Sequence, residues 1–198
     1  MTYEIFTALT VFAFVSSITP GPNNLMLMAS GANYGFARTI PHMLGITGGF
    51  TLMVVLVGAG LIGIFDAYPV SYTLLKLASV AYLLFLARKI ATAAPPDGKR
   101  PDGRPMTFLQ AAAFQWVNPK AWAMALTAIS VYAPDATLRA FAIVAVVFGL
   151  VNLPSVTVWA LMGRQMARVL TNPRRLQLFN WGMAGLLVAS LYPVLLPG

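Results

Sequence analysis

Apolar residues run along this chain in long stretches parted by short polar connectors, without the period-two alternation of half-buried strands. Hydropathy predicts six helical spans, at about 4–31, 40–64, 69–91, 107–132, 138–162 and 176–196. Each is close to or above the roughly 20 residues that cross about 30 Å of hydrocarbon. The first and fourth spans run long because each is interrupted. Thr19-Pro20-Gly21-Pro22-Asn23-Asn24 breaks the first and Asn118-Pro119 breaks the fourth. Prolines and glycine inside a helix free backbone groups, and such backbone is tolerated at membrane depth only inside protein or beside a water-filled cavity. Both breaks are therefore candidate sites.

Composition narrows the class. Of 198 residues, 59% are hydrophobic and 9% are charged, with a mean hydropathy of +0.76, against roughly 25% charged in a soluble domain. This predicts an all-α integral membrane protein with no room for a separate catalytic domain. The lack of cysteine excludes thiolate chemistry, and a single histidine, His42, excludes a multi-histidine metal site. No metal or cofactor is expected. The apolar run Met1 to Ile18 resembles a signal peptide, but Glu4 replaces a basic n-region and Thr-Pro-Gly-Pro follows, so it is read as a retained first helix.

A net charge of +8 is not a nucleic-acid signal here, because the basic residues lie in connectors. Arg38 falls in the first connector, Arg88, Lys89, Lys99, Arg100 and Arg104 in the third, and Arg164, Arg168, Arg174 and Arg175 in the fifth. The opposite side carries Arg139 alone. The positive-inside rule then makes the odd connectors cytoplasmic and places both termini on the outer, periplasmic side. The Pro-, Gly- and charge-rich stretch 93–106 reads as a flexible cytoplasmic linker between a first repeat, about 1–92, and a second, about 107–198. Three spans per half make the halves inverted, each opening with a broken helix, within one transmembrane domain. That is the layout of many secondary transporters, whose sites lie between the breaks.

The residues at the breaks suggest what is held. Pro22 suits the first turn of a half-helix whose N-terminal amides attract an anion, and Asn23 and Asn24 add amide groups. The half-helix ending near Ser16-Ser17-Ile18-Thr19 is expected to offer free carbonyls to an ammonium. In Gln115-Trp116-Val117-Asn118-Pro119-Lys120, the lysine lies deep in a span, where an unpaired charge costs about 3 kcal/mol or more, so it should face a partner or a cavity. Asn152 precedes Pro154 and is expected to cap carbonyls freed by the kink. His42 reads as buried and neutral, Lys76 as reaching the outer surface, and the glycine-rich second span (Gly45, Gly48, Gly49, Gly58, Gly60, Gly63) as a close-packing helix. The acidic residues, Glu4, Asp66, Asp97, Asp102 and Asp135, all fall at span ends or in connectors. Without a carboxylate at depth, a neutral or zwitterionic solute fits better than a strong cation.

Thr19-Pro20-Gly21-Pro22-Asn23-Asn24-Leu25 resembles the signature of the LysE/RhtB superfamily of bacterial amino-acid exporters, and Asn118-Pro119-Lys120-Ala121 is similar to its second signature. Leu75-Lys76 followed by Tyr82-Leu83-Leu84 is similar to the family's third-helix pattern. Thr39-Ile40-Pro41-His42-Met43 and Gln115-Trp116 depart from it. The resemblance implies a multi-pass translocator of the bacterial inner membrane that exports amino acids or related zwitterions, driven by the proton gradient. The expected partners are that small-molecule substrate and the lipid bilayer, with homo-oligomerisation left open. The substrate-binding set is expected to be Thr19, Pro20, Gly21, Pro22, Asn23, Asn24, Gln115, Asn118, Pro119, Lys120 and Asn152, with no catalytic residue. The competing readings are an intramembrane lipid-headgroup enzyme and a non-transporting assembly subunit.

Overall fold

The structure, a computed structural model, describes residues 1–61, 63, 67–93, 103–133 and 135–195. Most of the expected linker 93–106 lies outside these residues, as do Asp66, Asp97 and Asp102. The described elements are helical. They are α1 (Tyr3–Ile18), α2 (Pro22–Tyr34), α3 (Phe36–Leu56), α4 (Val70–Ala91), α5 (Phe108–Phe114), α6 (Pro119–Tyr132), α7 (Leu138–Val169), α8 (Pro173–Ala189) and α9 (Tyr192–Leu195). A π-helical turn, Val57–Leu61, extends α3, and a 3-10 turn, Gln115–Val117, joins α5 to α6.

The boundaries follow local chemistry. Thr2, Thr107, Thr137 and Asn172 each accept a backbone N–H at the start of a helix, and Thr107 completes a capping box with Gln110. Pro22, Pro119 and Pro173 occupy first-turn positions, where a missing N–H costs nothing. Gly35, at φ 79°, turns the chain between α2 and α3, and Gly60, at φ 105°, lies in the π turn. Both sit in backbone conformations that favour glycine.

Among the described residues, three helices are long and apolar enough to cross a membrane: α3 with its π turn (26 residues), α4 (22) and α7 (32). The pair α1 and α2, bent by 52°, is long and apolar enough to make a fourth if the two halves are taken as one span. The expected fourth span is divided into α5, the 3-10 turn and α6, and the sixth into α8, of 17 residues, and α9. Helix α7 runs past the expected end at 162 and carries Arg164 and Arg168 on its last turns. At 1.5 Å per residue it is about 48 Å long, more than the hydrocarbon needs. Pro154 lies inside α7 without ending it.

The interior has two apolar clusters with a polar seam between them. One gathers Leu9 and Ala13 of α1, Phe50, Met53 and Val54 of α3, Trp122 and Ala125 of α6 and Phe148 of α7. The other gathers Met26 and Leu27 of α2, Ile46 of α3, Leu83 of α4, Phe114 of α5, Val156 of α7 and Leu187 of α8. Along α7 the seam falls at Asn152, between Phe148 and Val156; along α3 it falls at Thr47, between Ile46 and Phe50. Both helix breaks open onto this level.

Close approach along α2–α7 and α3–α5 needs small residues. A Cβ on Gly31 would strike the Ala160 carbonyl, one on Gly163 the Met28 carbonyl, and one on Gly45 the Phe108 carbonyl. Gly49 and Gly58 similarly face Ala112 and the Phe141 ring, whereas Gly48 has ordinary clearance and Gly63 has nothing within 4 Å. Close packing thus explains three of the six glycines of the second span. Gly31→Ala should destabilise the protein by about 1–3 kcal/mol in detergent unfolding, because both sides of the contact are backbone or rigid helix. Gly185→Ala, with nothing within 4 Å of the added methyl, should be neutral or stabilising by up to about 1 kcal/mol.

Candidate functional site at the paired helix breaks

Helix α1 ends where the residue before a proline is driven out of the helical region: Thr19 sits at φ −65°, ψ 149°. Its last turn leaves a set of carbonyls without intrahelical partners. The structure satisfies all of those from Ser16 to Pro20. The Thr19 hydroxyl donates to Ser16 O (3.1 Å), and Asn24 Nδ2 donates to Ser17 O and Thr19 O (both 2.8 Å). Trp159 Nε1 donates to Ile18 O (3.0 Å). Lys120 Nζ donates to Thr19 O (2.9 Å), Thr19 Oγ1 (3.0 Å) and Pro20 O (3.2 Å). The expectation of free carbonyls is thereby corrected: apart from the local Thr19 hydroxyl, the side chains that quench them come from α2, α6 and α7, which no local reading of α1 includes.

The second break is closed mostly by itself. Asn118 caps α6 by accepting from Lys120 N (3.2 Å), and Trp122 Nε1 donates back to Trp116 O (2.9 Å). The two breaks are then tied together. Asn23 and Gln115 exchange amide bonds, 2.8 Å in one direction and 3.2 Å in the other, while Gln115 also donates to Ala111 O (2.8 Å). Gln115 and Asn118 are almost wholly buried (0% and 2% exposed). Lys120 crosses from the second break to the first over Gly21, where a Cβ would stand 2.7 Å from its Cδ.

A third contribution comes from α7. Asn152 donates to Ser17 Oγ (3.3 Å) and accepts from Thr47 Oγ1 (3.0 Å). The expected capping of carbonyls at the Pro154 kink is therefore corrected, since both partners of Asn152 lie on other helices, drawn by the polar seam.

Gly21, Asn23, Asn24, Gln115, Asn118, Lys120 and Asn152 line one cavity of about 30 Å³. Of the remaining expected residues, Thr19 and Pro20 contribute oxygens to Lys120, while Pro22 and Pro119 shape the breaks as first-turn residues. The sequence reading missed the Ser17 hydroxyl, Thr47, Phe50 and Trp159. Trp159 had one signal: with Asn152 and Val156 it marks positions i, i+4 and i+7, one face of α7. The cavity has room for about two waters. Its chemistry is that of amides, the two hydroxyls of Ser16 and Ser17, and one ammonium. Among the described residues the only acids are Glu4, in the first turn of α1, and Asp135, in the loop after α6, so no carboxylate faces Lys120. No group of three or more potential metal ligands occurs among the described residues.

The family model described as LysE type translocator matches residues 14–191. Cysteine/O-acetylserine efflux proteins of Escherichia coli, Shigella sonnei and Shigella flexneri are each 30% identical over 174 residues, covering 85% of this chain and 87% of theirs. No solved structure matches the chain.

In a double-mutant cycle, Asn23→Ala and Gln115→Ala should couple by about 0.5–3 kcal/mol in detergent unfolding. Additive effects would show that the amide exchange does not tie the breaks together.

Proposed function

We propose that this chain, which belongs to the family of LysE type translocators, exports amino acids or related small zwitterionic metabolites across the bacterial inner membrane. It is a membrane transporter and not an enzyme. The relatives' substrates, cysteine and O-acetylserine, are the first candidates for its cargo. The observation that carries the reading is the meeting of the two breaks around one cavity, with a lysine ammonium seated on the carbonyl end of α1.

That seat is where a substrate ammonium would be expected. Lys120 holds it instead, and the cavity is too small for an amino acid, so binding requires the lysine to move. The substrate ammonium replaces Lys120 at Thr19 O and Pro20 O. The displaced Lys120, together with the first-turn amides of α2 and the amides of Asn23 and Asn118, receives the carboxylate. A plain amine would leave the displaced lysine unpaired, and a plain acid would leave the carbonyls without a cation. The site therefore selects for both charges on one small molecule.

Two inverted three-helix repeats, about 1–92 and 107–198, around linker 93–106, would give this site its alternating access, with both termini periplasmic and the proton gradient as driving force. The packing supports the repeat: α1, the first half of one broken helix, lies on α7, while α5, the first half of the other, lies on α3, and α4 packs on α8. Exchange of partners between halves is what a pseudo-two-fold axis in the membrane plane requires.

The test is efflux of labelled O-acetylserine and cysteine from proteoliposomes, with and without a pH gradient. Lys120→Met should lower transport of both by at least about tenfold, the worth of one charge-assisted hydrogen bond. It should also erase the preference for cysteine over cysteamine, which lacks the carboxylate. Absence of flux by the wild-type protein for any amino acid would instead return the reading of a non-transporting assembly subunit.

A further inference from the structure

His42 is 2% exposed, and neither of its ring nitrogens has a hydrogen-bond partner among the described residues. An imidazole buried in this way forgoes both a donor and an acceptor bond, which is costly and uncommon in native proteins. The ring borders a separate cavity of about 50 Å³, also lined by Ser30, Asn33, Tyr34, Lys89 and Arg104. The neighbouring polar groups are largely committed elsewhere. Ser30 and Thr39 share a hydrogen bond (2.8 Å), and Asn33 exchanges amide bonds with Asn180 (2.7 and 3.0 Å). Lys89, from the last turn of α4, and Arg104, ahead of α5, stand exposed at the rim and have no acidic partner among the described residues.

We propose that this cavity is a loading site on the cytoplasmic side that takes the substrate's carboxylate before it reaches the helix breaks. The reading rests on the export function proposed above. The rim lysine and arginine attract the anion, and the imidazole N–H, closed off from the cavity as the ring stands, supplies the buried donor once the ring turns toward the bound carboxylate. The volume fits a carboxylate head but not a whole amino acid, so the remainder of the molecule stays toward the rim.

Placement supports a path. His42, Ile46 and Phe50 follow at i, i+4 and i+8 on α3, and the latter two line the cavity at the breaks. On α2, Asn33 at one cavity and Asn24 at the other are nine residues apart, about 14 Å along the axis. The two cavities are thus stacked along the α2–α3 seam, and the loading site lies toward the face that carries Arg88 and Lys89.

The experiment compares wild type with His42→Leu, His42→Gln and Lys89→Gln in oriented proteoliposomes. O-acetylserine is presented from either face, and propionate serves as a carboxylate probe. His42→Leu and Lys89→Gln should raise the half-saturation for loading from the cytoplasmic face by about tenfold, with a smaller rise at the outer face, and His42→Gln should restore part of the loss. Propionate should compete from the cytoplasmic face in wild type and lose potency in His42→Leu. That variant should also melt higher than wild type without ligand, since it removes two unpaired buried nitrogens. Equal effects at both faces, or unchanged competition by propionate, would overturn the loading site while leaving wild-type export intact. Competition by chloride as strong as by propionate would also overturn it, by making the cavity a general anion site. Absence of wild-type flux would instead remove the export reading on which the proposal rests.

Discussion

A helix that stops inside a membrane leaves carbonyl oxygens that lipid cannot satisfy, and each one left bare would cost several kcal/mol. At the end of α1, five consecutive carbonyls, Ser16 to Pro20, all receive donors. One donor is local, the Thr19 hydroxyl; the rest are Asn24 from α2, Trp159 from α7 and Lys120 from α6. This requirement recruits three other helices to one point and so fixes the centre of the molecule. The polar seam between the two apolar clusters, with Asn152, Thr47 and Ser17 bonded across it, lies at that level.

The helical course and the position of both breaks were legible in the sequence because proline acts locally: it stops α1 at Thr19, starts α2 at Pro22 and starts α6 at Pro119, whatever surrounds them. The partners of the freed groups were not legible, because they are set by how helices pack. Lys120 was recognised as needing a counterpart, yet its counterpart is a set of backbone oxygens 100 residues away, which have no signature in side-chain chemistry. Asn152 was misread for the same reason: the proline two residues on suggested a local cap, while its bonds cross to α1 and α3. Trp159 reads as packing in an apolar run, and only its place on the Asn152–Val156 face of α7 ties its single N–H to the break.

The two breaks correspond in position but differ in chemistry. The second is nearly self-sufficient, with Asn118 capping α6 and Trp122 reaching back to Trp116. The first depends on donors from elsewhere, and one of these, Lys120, carries a full charge on a long flexible stem. A side chain of that kind can leave its seat more readily than the amide of Asn24, which is held between two carbonyls. The two breaks therefore contribute unequal parts, a set of acceptors from one and a movable cation from the other.

That inequality bears on the size of the cavity. With Lys120 seated, about 30 Å³ remains between the breaks, and the carbonyls of Thr19 and Pro20 are saturated. A neutral solute has nothing to offer in exchange for the lysine, whereas an ammonium replaces it like for like. Replacement alone would strand the lysine charge in a low-dielectric setting without an acid among the described residues. Only a ligand that brings its own carboxylate leaves every charge paired after the exchange. In the proposed exchange, small size and two opposite charges are thus joint requirements of one arrangement, and they follow from the same helix end around which the other helices gather.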